Sequence, residues 1–395
     1  MIITSFYLRF FNILAIVFSV FAAGAGFQSA NAQMSKPGYD DKLLFRGITG
    51  VTIGGVQQQW MLKGYGTISQ QSVPMSFVIP LSNRMLFTAS NSGMLTSSDT
   101  TKVRGIVDTR LSLSYVLPGD KLWLTGGVSI PTGKTKLTVE EVKITSIISQ
   151  TAFGYRVPVF GQGFSGNAGI AYATSITRRI VFGIGTSFFY KGKYNPISIS
   201  GSSTQIEYDP GDEVSTNIGV DYITFSKVAR FSTDLTVTYF LEDKLNSEKI
   251  FQSGPRFIAL LVYSLRTGDV NHMVNARVRY RLHNTFYSGT TTTKYDAATQ
   301  IEGQYSIAVP LYEWVTGTAV GEFKYYTADQ IPVGGQIVET GKAEIGSFGA
   351  DFLFHLNGIV TPTLNVRYSA GKVTIDDVSR AVNGIEAGIG VKVSF

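Results

Sequence analysis

The sequence predicts an all-β fold: a transmembrane antiparallel β-barrel of about 14–16 strands, of the bacterial outer-membrane type. Three observations carry this reading. In the last stretch, Ile385, Ala387, Ile389, Val391, Val393 and Phe395 fall on one face of an extended strand, while Gly384, Glu386, Gly388, Gly390, Lys392 and Ser394 fall on the other. Successive side chains of a strand point to opposite faces, so one face is apolar and the other small or charged. Short and long connections alternate along the chain, as they do between the two ends of outer-membrane barrels. Finally, 42 Gly, 20 Tyr and 26 Phe accompany a charged fraction of only 16%, against about 25% in ordinary globular domains.

The chain opens with an export signal. Arg9 precedes the apolar run Phe10 to Ala23, broken only by Asn12 and Ser19, and small residues lead to Ala30-Asn31-Ala32. This pattern predicts cleavage between Ala32 and Gln33. A short membrane anchor is the alternative, but the run is short and no basic flank follows it. The expected organisation is a signal peptide over 1–32, an N-terminal segment over 33–50 that is either disordered or a small plug, and the barrel over 51–395. After the signal no apolar run is long enough for a membrane helix, for which about 18 residues are needed.

From Val51 to Tyr65 a first strand is weakly written, with glycine breaks, and pairs with the last. Hairpins then follow in order. Ser76 to Pro80 and Arg84 to Thr88 flank Leu81-Ser82-Asn83, and Ile106 to Val116 meets Lys121 to Ile130 across Leu117-Pro118-Gly119-Asp120, a strong turn signal. Asn167 to Ala173 meets Ile180 to Tyr190, and Thr216 to Ile223 meets Val228 to Tyr239. Pro255 to Leu265 meets His272 to Leu282 across Thr267-Gly268-Asp269. Gln304 to Pro310 meets Trp314 to Tyr326, and Ala343 to Phe354 meets Ile359 to Ser369 across Asn357-Gly358. The longer connections expected between hairpins are Gly93 to Gly105, Pro131 to Gly161, Lys191 to Glu213, Glu242 to Gly254, His283 to Thr299, Thr327 to Thr340 and Gly371 to Ala381.

Tyr115, Tyr190, Tyr222, Tyr239, Tyr280, Tyr325 and Tyr368 recur near strand ends, where amphipathic rings form the girdle of a membrane barrel. Pro310 and Pro362 stand inside strands and mark a bulge or kink. Phe395, the terminal aromatic, is the expected barrel-assembly signal, which makes the assembly machinery and outer-membrane lipid partners of the chain.

A barrel of this size has room for a channel, so the inward residues decide what it does. The alternation turns Asp108, Arg110, Glu322, Lys324, Glu386 and Lys392 inward, together with a row of three guanidiniums, Arg277, Arg279 and Arg281. Like charges at that spacing need solvent, anions or carboxylates nearby. The row is therefore either a structural ladder with inward acids such as Glu322 or Asp234, or a selectivity row for anionic groups.

Chemistry in the catalytic sense is not written here. Cysteine is absent, which excludes disulfides, thiolate catalysis and Cys-ligated zinc. The three histidines, His272, His283 and His355, sit in no nucleophile or metalloprotease motif. Gly127 to Thr135 has a phosphate-loop look, but the first glycine is misplaced and no strand-to-helix turn follows. No cofactor is expected. The formal charge of +6 includes Arg9, so the processed chain carries about +5, too little and too scattered for nucleic acid.

Three phrases bear a family resemblance: Ser72 to Met85, Ile106-Val107-Asp108-Thr109-Arg110-Leu111 leading through Ser114-Tyr115 to Leu122-Trp123-Leu124, and Gly127 to Lys134 (GVSIPTGK). The chain resembles the outer-membrane family of the MetA-pathway of phenol degradation, a distant relative of FadL-type transporters. The resemblance implies a barrel passing small hydrophobic molecules. In FadL-type proteins an N-terminal plug fills the lumen and a strand kink opens toward lipid. Here the segment before the barrel is short and lacks an Asn-Pro-Ala start, so a full hatch is not expected. The function expected is passive uptake of small, hydrophobic or aromatic solutes. The alternatives are a general diffusion porin with mild anion preference from the arginine row and Lys392, or a structural or adhesion barrel.

Overall fold

The computed structural model describes residues 49–196, 206–224, 228–333, 336–356, 359–375 and 377–394. The export signal, the Ala32/Gln33 cleavage site, nearly all of the segment before the barrel, the Asn357-Gly358 turn and Phe395 lie outside the described residues.

Sixteen antiparallel strands close on themselves. They are β1 (Gly50–Leu62), β2 (Gly66–Ser82), β3 (Met85–Ser97), β4 in two pieces (Lys102–Ile106 and Thr109–Val116), β5 (Leu122–Ile130), β6 (Ser165–Ser175), β7 (Ile180–Lys191) and β8 (Glu213–Ile223). The second half comprises β9 (Ala229–Phe240), β10 (Arg256–Thr267), β11 (Val270–Arg281), β12 (Gln300–Tyr312), β13 (Val315–Tyr326), β14 (Ala343–Phe354), β15 (Val360–Ile375) and β16 (Val378–Ser394). Each strand pairs with its sequence neighbours, and β1 closes the barrel on β16 from Gly50↔Ser394 to Leu62↔Val382. Full closure leaves no unpaired edge, which a strand needs where no water is available to satisfy its backbone.

The final strand behaves as its alternation predicts. Ile385, Ile389 and Val391 stand exposed on the outside, Ile389 at 68%, where lipid rather than water is their solvent. Phe348, Val366, Leu235 and Ile218 extend this apolar outer wall. Tyr190, Tyr239, Tyr280 and Tyr325 are exposed near the ends of β7, β9, β11 and β13 that lead into long loops, and Tyr172, Tyr312 and Trp314 are exposed at the tight-turn end, where Tyr115 and Tyr222 also lie. Tyr368 departs from this pattern and sits mid-strand in β15.

Connections at one end are tight throughout, and Arg84 at the β2–β3 turn reaches Asp120 at the β4–β5 turn (2.8 Å), tying two of them. The other end corrects two expectations. Gly93 to Gly105 and Gly371 to Ala381 are not long loops: β3 and β4 run through the first with a short turn at Ser98 to Thr101, and β15 and β16 pair as far as Ile375↔Val378. On the outward face these extensions carry Ser97, Lys102, Arg104, Lys372 and Thr374, because a strand standing above the lipid needs no apolar outer face, while Met94, Val103, Val373 and Ile375 turn inward and are buried. Hence the wall is tall around the seam and low elsewhere. Over the low side, Tyr208–Asp209, Asp243–Leu245, Glu248–Gln252, Asn284–Ser288 and Thr291–Tyr295 form a five-stranded roof. Of the two prolines, Pro310 marks a register shift against β13 and Pro362 pairs regularly.

Candidate functional site

The largest departure from expectation is the β5–β6 connection. Read over Pro131 to Gly161 as an external loop, the connection, Pro131 to Phe164, instead folds into the barrel and supplies the only α-helix among the described residues, α1 (Val139–Ile148). Thr138 and Glu141 form a capping box: Thr138 accepts from the Glu141 amide (3.3 Å), and the Glu141 carboxylate accepts from the Thr138 amide (2.9 Å). Lys134 Nζ donates to the other Glu141 oxygen at 2.5 Å. Val142, Ile144, Ile147 and Ile148 are all buried. A helix apolar on most sides is a core helix, and here the barrel interior is the core.

The strands meet it with apolar inward residues. Trp60, Leu62, Ile68, Met94, Val103, Ile345, Val373 and Val382 join α1, Phe153, Tyr155 and Phe160 in one buried cluster at the long-loop end. Phe153 sits edge-on to Trp60 with centroids 5.2 Å apart. Gly384 on β16 lies under the indole, where a Cβ would come within 2.7 Å of the ring. Tyr155 donates its hydroxyl to the Ile68 carbonyl at 3.0 Å.

Polar clasps hold the segment in register. Gln58 on β1 donates to the Gly154 carbonyl (3.0 Å) and accepts from the Arg156 amide (2.6 Å). Gln70 on β2 donates to the Val157 carbonyl (2.9 Å) and accepts from the Val157 amide (3.0 Å). At the neck, Asp108 sits in the break between the two pieces of β4. Its carboxylate accepts from the amides of Gly133 (2.9 Å) and Gln162 (2.7 Å). Gly133 and Gly161 pack backbone to backbone: a Cβ on either would lie 2.9–3.0 Å from main-chain atoms of the other side. Thr132 completes the neck, donating to the Val107 carbonyl (3.0 Å) and accepting from the Thr109 amide (2.9 Å). Two of the phrases singled out in the sequence, around Asp108 and through Thr132-Gly133-Lys134, therefore meet in space.

Beneath the plug lies a cavity of about 140 Å³ with charged walls, lined among others by Arg156, Glu322, Lys324, Arg367 and Glu386. Glu386 accepts from Gln58 (2.9 Å) and Asn365 (2.9 Å) and pairs with Arg156. Lys324 Nζ lies 3.8 Å from Glu322 and 3.4 Å from the Ala152 carbonyl. The predicted inward residues Glu322, Lys324 and Glu386 are thus gathered on one cavity, with the plug as its ceiling. Arg110 is exposed below the neck, and Lys392 is exposed near the far end of β16.

The arginine row is inward, but its partners differ from those expected. Arg277 pairs with Glu302 on β12, which also accepts from Tyr326. Arg279 donates to Gln300 at 2.7 Å. Among the described residues neither Glu322 nor Asp234 bonds to the row, because each belongs to another strand pair: Glu302 is the residue that the register places beside Arg277. Arg256, which the sequence reading passes over, stands in register opposite Arg281. Its strand is apolar on both faces, so alternation alone gave no signal there.

The three histidines lie apart: His272 meets Tyr305, His283 meets Asp296 (2.7 Å) and His355 meets Thr316. Among the described residues no group of side chains has the make-up of a metal site.

No family model matches the chain, and a search of curated proteins finds no match. Solved structures of similar fold include OprB of Pseudomonas putida, at 10% identity over 88% of this chain and 93% of that one, with a TM-score of 0.44. An anion-selective porin from Comamonas acidovorans matches at 9% identity over 87% and 98%, TM-score 0.41. The CymD monoaromatic hydrocarbon channel matches at 10% identity over 88% and 89%, TM-score 0.39. The barrel architecture itself rests on the strand pairing above.

Proposed function

We propose that the chain is an outer-membrane channel for passive uptake of small, hydrophobic or aromatic solutes, with Pro131 to Phe164 as its gate. One observation carries the reading: around the closing seam, the long-loop end of the lumen is lined by apolar side chains that pack against an apolar helix. A general diffusion pore keeps its lumen polar and water-filled. An interior of Trp60, Ile68, Met94 and Val103 instead offers a surface on which an apolar solute gains by leaving water, about 25 cal/mol for each Å² covered. Passage requires the segment to shift, and the clasps to it are hydrogen bonds that can exchange for water. No covalent step or cofactor enters this mechanism. Residues 1–32 serve as the export signal, Ala32/Gln33 as its cleavage site and Phe395 as the assembly signal, and the resemblance to the phenol-degradation family agrees with the solute class.

The test is a paired one on refolded protein. In planar bilayers the wild type is nearly silent, with rare short openings, while liposomes carrying it take up a monoaromatic solute faster than a sugar of equal size. Large, steady, anion-selective openings that diminish when Arg277, Arg279 and Arg281 are changed to Ala would establish a diffusion porin instead.

A further inference from the structure

We propose that Arg256, Arg279 and Arg281 form a binding site for a small oxyanion (phosphate, sulfate or carboxylate) on the inner wall beneath the loop roof. This site stands independently of the hydrophobic-solute reading. The three side chains are 3%, 6% and 7% exposed. Arg256 opens β10 directly opposite Arg281 at the end of β11, and Arg279 lies two residues away on the same inward face. Each of the other guanidiniums is close enough to act electrostatically on Arg279.

Compensation within the chain falls short. Arg256 comes within 3.7 Å of Glu213, but Lys191 already holds that carboxylate at 2.6 Å. Glu302 is engaged by Arg277 and Tyr326. Arg279 has the neutral Gln300 amide (2.7 Å). Among the described residues the Arg281 side chain has no hydrogen bond and no ion pair, and the Nε of all three arginines is buried without an acceptor. Burying an unpaired guanidinium is costly, because the charge loses its water without gaining a partner. A fold that places three such groups together beside only Glu213 and Glu302, each already shared with another partner, is completed by an external anion. Oxyanions fit because a planar guanidinium presents paired N–H donors to two oxygens at once.

The approach is from the roof side. Arg281 lies in the wall of a cavity of about 430 Å³, together with His283, which pairs with Asp296, and with Lys342 and Glu339. The Arg256 guanidinium carbon lies over the Phe240 ring, 5.0 Å from its centroid.

The experiment is calorimetric titration of the full processed chain, refolded in detergent, with sodium phosphate at constant ionic strength. Saturable binding is expected, weakened about tenfold or more in Arg281→Gln and Arg256→Gln, since each removes a charge-assisted bidentate contact. Arg84→Gln, at the opposite end, leaves it unchanged. Should a Gln variant not fold, the wild type still decides: its Tm rises with phosphate and not with chloride of equal ionic strength. A parallel arm reconstitutes the protein in phosphatidylcholine vesicles with and without lipid A. Protection from phosphate competition only with lipid A assigns the anion to a lipid head group; binding of free phosphate in both assigns it to solution. Absence of saturable phosphate or lipid A binding by folded wild type, or equal binding by the Gln variants, overturns the site.

Discussion

Gln58 and Gln70 face each other in register on β1 and β2, and each clasps the main chain of the same inward segment, within Gly154 to Val157. Each side-chain amide acts as a strand would, donating to a carbonyl and accepting from an amide. The pair thereby extends the barrel's own hydrogen-bonding into its plug. Gln70→Leu leaves the Val157 amide and carbonyl buried without partners, at about 1–3 kcal/mol for each group stranded. Open dwell times in single-channel records rise, and amide exchange at Val157 accelerates while that of β1 and β2 does not. Unchanged gating in a folded Gln70→Leu protein would remove the clasp from the mechanism.

Asp108 controls the neck. Asp108→Ala strands the amides of Gly133 and Gln162, and Gly133→Ala drives a Cβ to 2.9 Å from the Asp108 backbone nitrogen. Both changes expel the segment rather than unfold the barrel, because the strand ladder above and below the break is unaffected. We expect a conductance at least several-fold above wild type and new cleavage by trypsin at Lys136 or Lys143, with the heat-resistant barrel intact on gels. Loss of the barrel itself would mean that Asp108 is a folding residue and not a latch.

Much of this was legible in the sequence and one part was not. The final strand, the turn at Pro118-Gly119 and the inward arginine row were legible because lipid enforces strict alternation wherever a strand crosses it. The plug escaped because alternation says nothing about a connection. Its signals were of another kind: Thr138 and Glu141 at capping-box spacing, and Ile144, Ile147, Ile148, Phe153 and Phe160 crowded into a stretch supposed to face water. Likewise the partner of Arg277 is set by register across a loop of unknown length, so Glu302 was not distinguishable from Glu322 or Asp234.

The roof carries a pH dependence through Asp243. Burial pushes its carboxyl up to about 6, although Tyr208 Oη donates to it (2.5 Å) and the Gly211 amide donates to its other oxygen (2.7 Å). An acid raised on folding is better protonated in the folded roof than in the opened one. Between its ordinary value near 3.8 and about 6 the folded state binds more protons, so this group's contribution to roof stability falls as pH rises through that window. Hydrogen exchange at Gly211, corrected for intrinsic rates, becomes faster between pH 4 and 6.5, by at most about a hundredfold from this group. Asp243→Asn flattens the profile. A slope of the opposite sign would show that other groups govern the roof.

The lipid-facing wall gives the most direct test of orientation. Ile389 is 68% exposed and lies between Gly55 on β1 and Leu364 on β15, close to the closing seam. Ile389→Arg therefore places a guanidinium in hydrocarbon, at about 2–4 kcal/mol if the site is near the midplane. Lys392, three residues on, points the other way, and Lys392→Ala exchanges a solvated charge for a methyl group at little cost. Reversible denaturation in lipid vesicles separates the two: the midpoint falls markedly for Ile389→Arg and barely moves for Lys392→Ala. If both variants were equally stable, the outer face of β16 would not be in contact with lipid, and the membrane assignment of the seam would have to be abandoned.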